Sequence, residues 1–240
     1  MSTHHIYRAV RSGVEKLAPG FDLPRHRHAA GYATVVLAGT FIESSFAGRF
    51  AVGPGDVLLH GRFDCHANFA RGGSGLEILR LPWFDDDVEG HFRVRDPEEL
   101  ARITERDPLQ ATRQLAFAIE AAPRRELHWT ERLAASLANE TALSLRTWAE
   151  GEDIAPETLS RGFGRAFGAS PKLFRREARA RRALHALTHS AKPLTVLAHD
   201  LGFADLAHMS HSVQSLTGFS PSRWRSAAHE RLLGQLHTSR

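Results

Sequence analysis

A chain of 240 residues is long enough for one large domain or two small ones, and 42% hydrophobic with 24% charged residues is ordinary globular composition. No run of eighteen apolar residues occurs, which excludes a spanning helix, and the start MSTHHIYRAVRSGVEK lacks the apolar core of a signal peptide. The lone Cys65 excludes an internal disulfide or a thiolate zinc cluster, so the expected location is a reducing cytoplasm with no membrane contact.

The net charge of +4 conceals an asymmetry: residues 1–122 sum to −2 and residues 123–240 to +6. Every cation is arginine except Lys16, Lys172 and Lys192. A basic half beside an acidic half points to a polyanion binder joined to a second function.

Strand signals fill the first 84 or so residues. Thr34-Val35-Val36-Leu37 and Asp56-Val57-Leu58-Leu59 are short apolar or β-branched runs, and Leu76 to Leu81 alternates. Gly39-Thr40, Gly53-Pro54-Gly55 and Gly72-Gly73 punctuate them as turns. Many short strands with turns between them predict a sandwich or barrel that ends near Pro82-Trp83, with Asp85-Asp86-Asp87 as a solvated loop. His4 and His5 read as part of a disordered terminus.

Beyond residue 85 the signals are helical. Asp96-Pro97-Glu98-Glu99 combines an Asp cap, a first-turn proline and a Glu three residues past the cap, and Asp107-Pro108 opens a second helix with Leu115 and Ile119 on its buried stripe. Ala121-Ala122-Pro123 reads as a linker. After it, Ser144, Ser170-Pro171, Thr195, Asp205 and Ser220-Pro221 are further start signals.

The helical half repeats itself. Leu159-Ser160-Arg161-Gly162-Phe163 aligns with Met209-Ser210-His211-Ser212-Val213, and Gly168-Ala169-Ser170-Pro171 aligns with Gly218-Phe219-Ser220-Pro221, at an offset of fifty. Upstream, Trp148-Ala149 aligns with Leu197-Ala198 at forty-nine, so the second turn has gained one residue. Each copy reads as a short helix, a tight turn and a second helix, which is helix-turn-helix grammar. In copy two, Gly202 ends the first helix, Asp205 caps the second, and Met209 and Val213 face inward; in copy one, Asp153 stands at the turn and Pro156 restarts the chain. Between the copies, residues 171–188 form a helix of about 27 Å. It carries a buried stripe of Leu173, Ala180, Leu184 and Leu187 and a basic stripe of Lys172, Arg176, Arg179 and Arg182. A rod of that length approaches the roughly 34 Å of one duplex turn, so both second helices could enter successive major grooves. The plainer alternative is an all-α bundle with a solvated basic stripe.

The stretch Leu201-Gly202-Phe203-Ala204-Asp205-Leu206-Ala207-His208-Met209-Ser210, followed by Thr217 to Arg225, resembles the AraC/XylS family of transcription regulators. The resemblance covers about residues 128–230. It implies a cytoplasmic, non-enzymatic regulator that binds double-stranded DNA through two helix-turn-helix units, with RNA polymerase, a small-molecule effector and a second copy of the chain as candidate partners. The family's groove-facing positions fall on Glu157, Ser160, Arg161 and Arg165 in copy one, and on Leu206, Ala207, Ser210 and His211 in copy two. A guanidinium at 161 can donate two bonds to guanine O6 and N7, and a carboxylate at 157 can accept from cytosine N4; a phosphate contact is the alternative for Arg161. His211, Gln214 and Ser215 stand where the family has Arg or Lys, and Gly162 and Gly164 interrupt the first recognition helix at about 1 kcal/mol each.

His26-Arg27-His28, Tyr32, Gly39, Gly53-Pro54-Gly55-Asp56 and His66 resemble a cupin, with Tyr32 where that family often has Glu. His26 and His28 project from one strand face, and His66, or secondarily His60, could complete a three-nitrogen divalent metal site with an open position. A pocket without metal is the other reading. Cys65 reads as a buried thiol, with a fourth metal ligand or a redox sensor as the alternatives.

The expected architecture is therefore α+β: a cupin-like β-barrel or sandwich over residues 1–84, a helical linker and candidate dimer segment over 85–122, and an all-α double helix-turn-helix domain over 123–240. The rival function is a cupin-type metalloenzyme with a helical oligomerisation domain.

Overall fold

The computed structural model describes residues 6–7, 10–70, 75–123, 125–140 and 143–228. His4, His5 and the turn expected at Gly72-Gly73 lie outside them. Ten strands come first: β1 (Ile6–Tyr7), β2 (Gly13–Leu17), β3 (Asp22–His28), β4 (Tyr32–Ala38), β5 (Phe41–Ser44), β6 (Arg49–Val52), β7 (Asp56–His60), β8 (Cys65–Ala70), β9 (Leu76–Pro82) and β10 (Gly90–Arg93). Helices α1 (Pro97–Thr104) and α2 (Pro108–Ala118), strand β11 (Glu120–Ala121), and helices α3 (Trp129–Asn139), α4 (Leu145–Gly151), α5 (Pro156–Phe167), α6 (Pro171–His189), α7 (Leu194–Asp200) and α8 (Leu206–Thr217) follow. No described helix is long and apolar enough to cross a membrane.

The strands build two sheets, ordered β1-β3-β8-β5-β6 and β11-β10-β7-β4-β9-β2. All pairings are antiparallel except β1 with β3. Side chains alternate along each strand, and the second sheet uses both of its faces. Val36, Leu58 and Ile78 join Phe41 and Val52 in one apolar cluster, while Ala33, Val35, Val57, Leu59, Leu79 and Leu81 pack with Leu100 of α1 and Ala111 and Leu115 of α2 in another. A strand covered on both sides reads as an unbroken apolar run, which is why Thr34 to Leu37 was legible as β but its partner face was not.

This packing moves the boundary of the β region. The sequence places its end near Pro82-Trp83 and a helical linker over 85–122. In the structure β10 pairs with β7, β11 pairs with β10, and α1 and α2 are the cover of the sheet. Both helix starts form as read: Asp96 accepts from the Glu99 amide, and Asp107 from Leu109 and Gln110, each ahead of a first-turn proline.

By contacts the chain falls into two units, residues 1–135 with 154–170, and residues 136–153 with 171–240. The second unit packs Ala183 and Leu187 of α6, Leu197 and Ala198 of α7, and Met209 and Val213 of α8 around Phe203. The repeat is visible in element bounds. α5 and α8 begin at 156 and 206 and end before the left-handed residues Gly168 and Gly218, an offset of fifty. α4 and α7 begin at 145 and 194, an offset of forty-nine, and the extra residue falls in the second turn. That turn uses a left-handed residue in both copies, Gly202 at φ 71° and Asp153 at φ 52°, and Asp is among the few side chains that tolerate the region. Ser144 and Asp205 are side-chain caps as expected, whereas Thr195 lies inside α7, whose cap position is Pro193 with no side-chain bond.

Candidate functional site

Two sets of residues were marked by sequence, and the structure brings each to a definable place. The first lies between the two sheets. The register of β3 on β8 sets His26 directly opposite His66, β5 on β8 sets Glu43 opposite Asn68, and β4 on β7 sets Tyr32 opposite His60. Alternation then aims His26, His28, His66, Glu43 and Asn68 from the first sheet, and Tyr32, His60 and Arg80 from the second, into one polar layer. Every member of that layer other than Arg80 is buried.

The ligand-capable atoms of His26, His28 and His66 lie within 4.8 Å of one another. The rings of His26 and His66 are 4.3 Å apart and those of His28 and His66 are 5.6 Å apart. The Tyr32 hydroxyl lies 2.9 Å from His66 Nε2. Burial holds the imidazoles neutral: the His28 pKa falls to about 3, that of His66 drops well below the usual value, and that of His26 is lowered, with neighbouring cationic groups adding to the effect. Neutral imidazoles at this spacing are competent nitrogen donors, so the donor set fits a divalent ion. A cleft of about 600 Å³ opens against His26, His28 and Arg80 and is otherwise lined by residues 10–15 and Leu23.

Sequence reading ranked His60 second and passed over Glu43 and Asp64. In the structure His60 Nδ1 is 2.9 Å from the Asp64 carboxylate, and His60 Nε2 is 3.5 Å from Glu43. Asn68 Nδ2 donates to Glu43 at 3.0 Å. Burial raises the Glu43 carboxyl to about 7. For His60, burial works against the charged form, and the two carboxylates outweigh it and raise the pKa. Cys65 is a buried thiol on the opposite face of β8, with its sulfur toward the Phe63 carbonyl.

The second set lies on α5 and α8. Leu159, Phe163 and Phe167 bury one stripe of α5, and Glu157, Ser160, Arg161 and Arg165 are exposed on the rest of it. On α8, Met209, Ser212, Val213 and Leu216 are buried, Ala207 and His211 are exposed, and Leu206 and Ser210 are half-buried. The basic stripe of α6 is only partly free. Arg179 donates to the Gly202 carbonyl at 3.0 Å and Arg182 to that of Ala138, so these guanidiniums satisfy the ends of neighbouring segments, while Lys172 and Arg176 remain exposed. Gly162 has a packing reason: a Cβ there would meet Trp129 Cζ2 at 2.6 Å. Nothing lies within 4 Å of a Cβ at Gly164.

Residues 148–227 match a family model described as a helix-turn-helix domain. The protein therefore has a two-sheet β region followed, over residues 148–227, by a helix-turn-helix domain. Among solved structures, ToxT from Vibrio cholerae O395 is similar at 9% identity with a TM-score of 0.42, over 91% of this chain and 98% of that one. The C-terminal domain of AraT from Geobacillus stearothermophilus is 21% identical over 43% of this chain and 88% of its own, with a TM-score of 0.40. A transcriptional regulator with an AraC-type DNA-binding domain from Chromobacterium violaceum is 24% identical over 42% of this chain and 90% of its own, with a TM-score of 0.38. No curated protein sequence matches.

Proposed function

We propose that the chain is a transcription regulator of the AraC type, in which the helical region binds duplex DNA and the β region sets the affinity of that binding. The observation that carries the reading is the doubled bihelical unit with its second helices buried on one stripe and polar on the other. Glu157, Ser160, Arg161 and Arg165 form the reading surface of copy one. Ala207, Ser210 and His211, with Leu206 at the edge, form that of copy two. Copy two offers only His211 as an ionisable group in this set, so copy one supplies most of the base readout and Lys172 and Arg176 add phosphate contacts.

The β region is suited to sensing because its polar layer and α5 share three strands. On their inner faces β3, β8 and β5 carry His26, His66 and Glu43. On their outer faces they meet the end of α5: Ser44 donates to the Ala166 carbonyl at 2.5 Å, Arg25 to that of Phe167 at 3.4 Å, and Ala67 lies against Gly168. These carbonyls belong to the last turn of the helix, which has no partners of its own. An effector or a divalent ion bound by His26, His28 and His66 therefore acts on strands that also hold the first recognition helix. The coupling is linkage: whichever strand arrangement the ligand prefers sets the DNA affinity. Leu109 and Phe117 of α2, 50% and 93% exposed and two turns apart, support the dimer role read for this segment.

The test is a fluorescence anisotropy titration of the full chain with labelled duplexes at several salt concentrations. The reading expects binding whose log affinity falls with log salt by about 0.9 per phosphate neutralised. Absence of binding at low salt, with stoichiometric metal and turnover of a small substrate, would favour the metalloenzyme instead.

A further inference from the structure

The polar layer holds a second group of ligand atoms, separate from the pair on β3. The ligand-capable atoms of Glu43, His60 and His66 lie within 4.8 Å of one another, and all three residues are about 2% exposed. We propose that Glu43, His60 and His66 form an inner cation site, which takes a single divalent transition-metal ion of the zinc type through two imidazoles and one carboxylate. It shares His66 with the outer histidines but needs neither His26 nor His28.

Three features carry this. The first is the orientation of His60. Its Nδ1 faces the Asp64 carboxylate at 2.9 Å, and such a carboxylate behind an imidazole fixes the ring and raises the basicity of the other nitrogen in metal sites. The other nitrogen, Nε2, is buried without a hydrogen bond and points toward Glu43. The second is spacing. The 3.5 Å between His60 Nε2 and Glu43 Oε2 is long for a hydrogen bond between these atoms, whereas two ligands of a tetrahedral ion at bond lengths near 2.1 Å stand about 3.4 Å apart. The third is charge. Two buried carboxylates, Glu43 and Asp64, face His60, and such a pair is costly unless a cation or protons neutralise it. A divalent ion matches their summed charge. Asn68 steadies Glu43 at 3.0 Å, and a small cavity of about 20 Å³, bordered by Glu43, His66 and Asn68 but not by His60, gives room beside them for something the size of a water or an ion.

None of Glu43, His60 and His66 lines the outer cleft, and each is about 2% exposed. An ion here would brace β5, β7 and β8 against each other. The proposal does not depend on DNA binding, and the two fail separately.

The experiment strips the full-length protein with a chelator and titrates it with Co²⁺, following the visible d–d bands, with bound metal counted by elemental analysis after Zn²⁺ loading. Circular dichroism checks that each variant folds. The parent should bind one equivalent at the inner site. Glu43→Gln and His60→Asn should lose it or bind at least tenfold more weakly, Asp64→Asn should weaken it by about ten- to a hundredfold, and His26→Asn and His28→Asn should keep it. X-ray absorption on the Zn²⁺-loaded parent should report two imidazoles with oxygen ligands, a readout that needs no variant to fold. No binding by the parent, binding lost in His26→Asn or His28→Asn but kept in Glu43→Gln and His60→Asn, or a three-imidazole shell would overturn the assignment.

Discussion

The two glycines inside α5 make opposite predictions from one kind of substitution. Glycine in a helix interior is worse than alanine by about 0.8–1 kcal/mol. At Gly164 an added Cβ meets nothing within 4 Å. Gly164→Ala should therefore stabilise the unit that contains α5 by about 1 kcal/mol. At Gly162 the same methyl would stand 2.6 Å from Trp129 Cζ2 and 2.8 Å from Cη2. Ordinary carbon contacts are about 3.5–4.0 Å, so the ring or the helix must move by roughly 1 Å. Forced overpacking of this kind costs about 1–3 kcal/mol, which cancels or exceeds the propensity gain and leaves Gly162→Ala neutral to about 2 kcal/mol less stable. Differential scanning calorimetry of both variants reads the difference on the same transition. At about 2–4 °C per kcal/mol, the two melting temperatures should separate by several degrees with Gly164→Ala higher. Equal stabilisation by both would mean that Trp129 does not lie against α5, and the packing argument for Gly162 would fall.

Arg161→Ala should weaken binding to a preferred duplex by about 1–3 kcal/mol and relax preference at one base pair, measured by competition with single-substituted duplexes; uniform weakening across all sequences would make Arg161 a phosphate contact. Acid should destabilise chelator-treated protein. The folded pKa of His28 lies near 3, below the ordinary 6.5, so its contribution is complete above pH 6.5 and lost as pH falls toward 3, an effect of at most about 5 kcal/mol. His26 and His66 shift the same way. Glu43 works oppositely: its folded pKa is raised to about 7, so its contribution is present below pH 4.5 and lost as pH rises through 7. His60 also works oppositely, because its two carboxylate neighbours outweigh its burial and raise its pKa; the three lowered imidazoles outweigh these two groups, and melting temperatures should fall between pH 6.5 and 4. A rise over that interval would mean that the imidazoles are not buried as neutral groups.

What was legible in the sequence was local. Caps at Asp96, Asp107, Ser144 and Asp205 are decided within four residues, and the repeat offset of fifty fixes α5 and α8 to the residue. Pairing of His26 and His28 needed only strand alternation. What was not legible depends on distant partners. Arg179 and Arg182 match a phosphate stripe by spacing, but their guanidiniums go to the carbonyls of Gly202 and Ala138, twenty-three and forty-four residues away. The two strands that extend the sheet past Pro82, β10 and β11, are four and two residues long, too short for any periodicity. Glu43 looks unremarkable in sequence and His60 ranks behind His66, because the meeting of Glu43 with His60 requires the two sheets to face each other. The available signal was that His60 alternates with Val57 and Leu59 and so falls on the same face as Leu58, with its neighbour across β4 being Tyr32.

The account rests on two bihelical units acting together on one duplex. The most direct test selects duplexes from a randomised pool with the full-length protein and maps the protected bases on the enriched sequence. Two protected stretches with centres about 10–10.5 base pairs apart on one side of the DNA are expected, the copy contacted by Arg161 being the more strongly conserved among selected sequences. A pool that shows no enrichment at low salt, or a single short footprint that survives deletion of α7 and α8, would contradict it.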